Sequence, residues 1–484
     1  MSNHSSPPAA RRWLGLAVIA AAQFMVIMDT SIIGVALPQM QADLGFSQEN
    51  LSWVFNAYVV AFGGLLLLGG KLSDLFGARR IFTIGWVTLI AGSAAAGMAS
   101  DVGVELAGRA VQGAGAALIA PSALTMLMML FGGNPRELTK AFALYGAAAP
   151  AGGTAGVFFG GLITEYASWP WVFYINIPIA LIILAVTPAL MPTGGLATRS
   201  RIDLLGAVTV TGGLAALVYA IVQAPEVGWG SARTWLVLAG AVVLLAGFVA
   251  LQAVRREPLV RLGIFRVPNL GAANLAQLLL GAAWIPMWFF LNLYLQQVLG
   301  YTAFPSGAAL LPMTVLIMIG MVVLAPRAIG RFGPKNMTVA GLLLLAAGMA
   351  WLSFVRPDGS FVTDVLPASL VAALGMSLAF IPTLGTAISS ARPEEGGLAS
   401  GIVNTSYQIG SAIGLAAMTA IAAAYGADRI GDPAALTDGF SAAFLGAAVV
   451  ALVGAGASAL LFRKTERSEA VPEPADGVTV DRTV

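Results

Sequence analysis

A chain of 484 residues that is 58% hydrophobic and only 10% charged, with a mean hydropathy of +0.85, is too apolar for a soluble domain, where about a quarter of residues carry charge. A net charge of +2 offers nothing to attract nucleic acid. The lack of cysteine excludes disulfides, thiol catalysis and thiolate metal sites, and the single histidine, His4, lies in a polar leader, so no imidazole can relay protons or bind metal within the apolar segments.

Apolar stretches of about 20 residues predict membrane-spanning helices. In chain order they lie at 13–37, 50–69, 81–99, 103–131, 138–165, 171–190, 202–223, 232–254, 269–295, 304–326, 337–355, 362–390, 398–424 and 439–462. The expected fold class is therefore all-α and integral to the membrane, with 14 transmembrane helices. Arg11 and Arg12 before the first run could open a signal peptide with Ala20–Ala22 near its cleavage site. That run continues to about Leu37, however, and signal-peptide cores span only about 7–15 residues. It reads as a retained first helix. Interior prolines such as Pro121, Pro150 and Pro286 do not argue against the spans, because membrane bundles re-satisfy the freed backbone groups.

Basic residues test the count. With the N-terminus inside, 21 Lys and Arg fall in inner segments, Arg233, Arg356 and Arg429 fall outside, and Arg109 lies within a helix. This is the segregation of the positive-inside rule, and it predicts two cytoplasmic termini.

Two deep charges stand out. Asp29 occupies the middle of the first span, where a carboxylate costs about 2.5–3.5 kcal/mol. Arg109 lies about two turns into the fourth and needs an acidic partner. Glu105, four residues earlier on the same helix, is within side-chain reach; Asp29 is the other candidate. The second half carries no acid deep in a helix. Its polar side chains Asn292, Tyr294, Asn404 and Gln408, together with Gln112 of the fourth helix, are candidates to line a mostly apolar cavity. Glu165 and Asp364 fall near helix ends, and Asp203 suits a helix N-terminus.

"DLFGARR" at 74–80 is echoed by "GRFGPKN" at 330–336, an offset of 256 residues that carries helix one onto helix nine. The expected organisation is a leader at 1–12, a six-helix bundle at 13–190, an inserted helix pair at 202–254, a second six-helix bundle at 263–462 and a disordered tail at 463–484. Parallel repeats of this kind place a substrate site between the halves, near the midplane.

"MDTSIIGVALP" in helix one, "GKLSDLFGARR" after helix two, "RAVQGAGAA" in helix four and "YGAAAPAGGTAGVFFGG" in helix five follow one another along the chain. In this order they resemble the motifs of the major facilitator superfamily, specifically its fourteen-helix drug–proton antiporter branch of multidrug efflux transporters. The sequence departs from the family where Gly156-Val157 replaces Gly-Pro and where Pro170 replaces a common arginine. The resemblance implies a gating latch at Gly70, Asp74, Gly77 and Arg79, which from residue types alone could be merely a polar turn. It also implies a hinge or close-packing face at Pro150, Gly152, Gly153, Gly156 and Gly160. Asp29 would carry a proton or hold a cationic substrate, Arg109 would tune it, and Glu105 would be a secondary acid. The implied function is export of hydrophobic, in part cationic, drugs against proton entry, without cofactor or metal. The exporter of an endogenous metabolite or antibiotic is the alternative; a membrane-embedded enzyme would need a catalytic cluster that the sequence lacks. The expected setting is the inner plasma membrane, with lipid, protons and a small molecule as partners, no nucleic acid, and action as a monomer.

Overall fold

A computed structural model describes residues 9–192, 203–255, 258–390 and 396–463. The expectations for residues 1–8 of the leader and 464–484 of the tail lie outside the described residues. Fourteen helices are long and apolar enough to cross a membrane, and no strand occurs among the described residues. The first half holds α1 (Ala10–Leu44), α2 (Asn50–Phe76), α3 (Ala78–Gly97), α4 (Val102–Phe131), α5 (Arg136–Tyr166) and α6 (Trp171–Leu190). The inserted pair is α7 (Leu204–Val227) and α8 (Ala232–Val254). The second half holds α9 (Leu270–Val298), α10 (Ala303–Phe332), α11 (Pro334–Leu352), α12 (Phe361–Ser390), α13 (Ala399–Ala427) and α14 (Pro433–Leu461).

Several helices outrun their apolar cores, and at α14 a polar cap explains the start. α14 starts at Pro433 rather than 439 because the Asp432 carboxylate accepts the backbone N–H groups of Ala434 and Ala435 at 3.1 and 3.2 Å, with proline at the first helical position, where no donor is needed. α1 runs on to Leu44, so Gln39, Gln41 and Asp43 stand on its last turns.

The two halves repeat one packing scheme. α3 lies on α4, α1 on α5 and α2 on α4; in the second half α11 lies on α12, α9 on α13 and α10 on α12. Gly77, with φ of 91°, is the one-residue joint between α2 and α3. Gly333, with φ of 79°, joins α10 to α11 at the position the 256-residue offset assigns. Only glycine adopts such backbone without steric cost. Between the halves, α5 packs on α10 and α2 on α13, two contacts related by the same pseudo-symmetry.

An even number of spans puts the first and last described residues, Ala9 and Arg463, on one face, called here the terminal face; the opposite one is the far face. On the terminal face the Arg11 guanidinium donates to the Ala189 carbonyl at the end of α6, and Lys335 donates to the Phe462 carbonyl at 2.7 Å. α7 packs on both α2 and α13, and α8 packs on α7. The buried Asp203 carboxylate anchors the inserted pair: it accepts from the Gly206 N–H (2.8 Å) and Gln252 Nε2 (2.8 Å), and Arg255 pairs with it at 3.1 Å.

Candidate functional site

Small residues bring the first-half helices close enough to share polar groups. A methyl on Gly92 of α3 would come within 2.6 Å of the Gln112 amide nitrogen on α4, and one on Gly113 would collide with the Tyr58 carbonyl on α2. Such close approach is what glycine permits in membrane bundles. It places α1, α2, α3, α4 and α6 around one buried cluster.

Asp29 and Arg109 meet at its centre. Their exposures are 1% and 0%, and Arg109 Nη1 lies 2.9 Å from Asp29 Oδ2. The carboxylate also accepts from Gln112 Nε2 at 3.1 Å and Asn176 Nδ2 at 2.5 Å. Gln112 is held in turn, donating to Ser93 Oγ at 2.8 Å and accepting from Arg109 Nη1 at 2.6 Å. The guanidinium donates through Nε to the Val54 carbonyl at 3.0 Å, and the Tyr58 ring lies 4.5 Å from its central carbon. The pair thus has the supporting hydrogen bonds and aromatic face that a desolvated ion pair requires.

Between the two partners open to Arg109, the structure selects Asp29. Glu105 is fully buried one turn away, but neither carboxylate oxygen has a hydrogen-bond partner among the described residues. Adjacency at four residues does not produce the pair because the guanidinium reaches across to α1 and α2 instead. One guanidinium nitrogen, Nη2, and the side-chain amide of Asn56 are also unpartnered.

The remaining predicted residues lie in separate places. Gly152, Gly156 and Gly160 face α1, where methyls would collide with the Phe24 carbonyl, Ser31 Oγ and the Ile32 carbonyl; Gly153 meets only Ile27, at 3.9 Å. α5 continues through Pro150 as helix. At the α2–α3 joint, Arg79 donates to the Pro188 carbonyl at 3.3 Å, and no ion pair joins it to Asp74 among the described residues. Gly70 faces Pro121.

The second-half cavity candidates do not converge with Gln112. Asn292 donates to the Trp288 carbonyl and abuts Gly34 of α1, whereas Tyr294 donates to the Arg356 carbonyl near the far face. Asn404 donates within its own helix to Ser400, and Gln408 packs on Gly63 of α2. Sequence reasoning passed over Ser93, Tyr58 and Asn176. Asn176, lying in the apolar run "FYINIPI", was the signal that could have been followed.

The family model described as Major Facilitator Superfamily matches residues 19–415. The puromycin resistance protein pur8 of Streptomyces alboniger is 39% identical over 439 residues, covering 89% of this chain and 87% of its own length. The cephamycin export protein CmcT of Amycolatopsis lactamdurans is 38% identical over 444 residues, 90% of each chain. Among solved structures, a mutant of the nucleoside transporter NupG superposes with a TM-score of 0.66 at 14% identity, over 93% of this chain and 100% of that one; that likeness speaks to the fold.

Proposed function

Taking as premise that the chain belongs to the Major Facilitator Superfamily, and is a transporter rather than an enzyme, we propose that it is a proton-coupled exporter of hydrophobic small molecules, cationic ones among them. The buried Asp29–Arg109 pair carries this reading. A proton on Asp29 removes the charge that holds the guanidinium, so protonation, Arg109 and a cationic cargo compete for one carboxylate. Alternating access would expose that carboxylate to each face in turn. Proton entry supplies roughly 2.3 kcal/mol per charge per 100 mV of membrane potential, which can drive export against a gradient. Glu105, buried without a hydrogen-bond donor, is the secondary acid in this scheme. The energy source is the proton gradient, with no cofactor and no metal, and a single chain acts as the transport unit.

The relatives named for puromycin resistance and cephamycin export support antibiotics as the cargo class. They equally favour the second reading, an exporter of an antibiotic or other metabolite made in the same cell, which shares the mechanism. The charge distribution supports an orientation with the terminal face cytoplasmic, in the plasma membrane that drug export implies. The test is dye efflux in everted membrane vesicles under an imposed pH gradient, with the parent chain and Asp29→Asn side by side. Gradient-driven movement of a lipophilic cation, lost in Asp29→Asn, is expected. If folded parent protein moves no such dye but moves puromycin or a cephamycin, the metabolite reading replaces it.

A further inference from the structure

At the far face, three glutamine side chains close a ring. Gln41 Nε2, near the end of α1, donates to Gln48 Oε1 at 2.8 Å. Gln48 Nε2, just before α2, donates to Gln297 Oε1 at 3.1 Å. Gln297 Nε2, at the end of α9, donates back to Gln41 Oε1 at 2.9 Å. Gln297 Nε2 also reaches Gln48 Oε1, at 3.5 Å, and Gln41 and Gln48 are buried. Two of the ring's three bonds cross from one half of the molecule to the other. The neighbouring Gln296 adds a further crossing contact, from its Nε2 to the Val35 carbonyl of α1 at 3.0 Å.

The backbone is shaped for this. At Tyr294–Val298, α9 widens into a π turn, a local rearrangement that recurs at functional sites, and both crossing glutamines stand on it. The opposite side of the seam differs. Gly146 lies in the terminal-face half of α5, is exposed, and has no atom within 4 Å of where its Cβ would be. Among the described residues, every side-chain hydrogen bond between the two halves lies at the far face, whereas toward the terminal face the halves meet through packing alone.

We propose that Gln41, Gln48 and Gln297 form an uncharged latch that holds the far face shut and breaks as a unit when the carrier opens there. Amides suit such a duty. They hold by direction rather than by charge, and on opening each partner exchanges its bond for one to water, so the latch is specific without being strong. Gln297 is the keystone: both of its partners lie in the other half, so its loss removes every crossing bond of the ring, whereas loss of Gln41 leaves Gln48 and Gln297 still bonded across the seam. This inference rests on the chain being an alternating-access transporter, but not on the proton or cargo assignments.

The absence of native cysteine makes single-cysteine reporters clean. Leu37 lies on the α1 face between Gly34, which abuts Asn292, and Gln41, and it is fully buried. Leu37→Cys reports opening of the far face, and Gly146→Cys reports the terminal face. In nanodiscs, with a membrane-impermeant maleimide and no cargo or pH gradient, Gln297→Ala should raise the labelling rate at position 37 about tenfold and lower it at position 146. Gln41→Ala, which leaves Gln48 bonded to Gln297, should raise it less, and the Gln41→Ala/Gln297→Ala pair should add nothing to Gln297→Ala alone. An unchanged rate at position 37 overturns the latch. So does a rise at both reporters, which would mean general loosening, or full additivity in the double variant, which would mean independent contacts. None of these outcomes depends on which molecule is exported.

Discussion

The two halves share a packing scheme but not an interior. In the first, a carboxylate, a guanidinium, two amides and a hydroxyl form one connected cluster across α1, α3, α4 and α6. In the second, buried polar groups meet in neutral pairs: Ser406 donates to Asn274 at 2.8 Å, and Thr383 to Gln277 at 2.6 Å. The repeat sets where the helices go, while charge is spent on one side only. A neutral hydrogen bond in a bundle fixes packing; a buried ion pair also stores a charge that a proton or a cation can displace. Under the proposed function, the first half would sense charge and the second would serve as scaffold and apolar wall.

Substitutions that break this comparison should follow the same order. Arg109→Ala leaves a buried carboxylate without its counter-ion and should cost about 3–5 kcal/mol, read as a large drop in Tm of the purified protein, together with loss of transport. Asn176→Leu removes one donor from a charged acceptor and should cost about 1.5–3 kcal/mol while leaving the ion pair in place. In the second half, Thr383→Val removes a neutral bond and should cost about 1 kcal/mol, with gradient-driven transport retained. Asn404→Ala, which loses only a bond within its own helix, should change stability by less than about 0.5 kcal/mol. If Thr383→Val abolished transport at undiminished stability, the division of labour between the halves would be wrong.

The fourteen helices were legible because a bilayer imposes a length and polarity that few other environments demand. Their ends were less so: the apolar core of α2 stops near residue 69, yet the helix continues to Phe76, since polar residues at the interface prolong a helix without any hydropathy signal. Asp29 and Arg109 were legible because isolated charges in apolar helices are rare. Their pairing was not, because Glu105 offered a partner by sequence spacing, and only the arrangement of α1 and α2 against α4 decides between the two. Asn176 and Ser93 escaped notice for a related reason. Neutral polar residues are common in membrane helices, and their meaning depends on the neighbouring helix they face. The scatter of Asn292, Tyr294, Asn404 and Gln408 makes the same point: one helix half does not imply one cavity.

The most direct test of Asp29 as the coupling carboxylate is proton release on cargo binding. Ethidium would be added to purified protein in weakly buffered solution with a pH indicator, with Asp29→Asn in parallel. Starting from the proton-loaded state, reached by lowering the starting pH, the account predicts that protons appear on binding to the parent chain and not to Asp29→Asn. Equal release from both proteins would contradict it and move the coupling site elsewhere, with Glu105 the next carboxyl to examine.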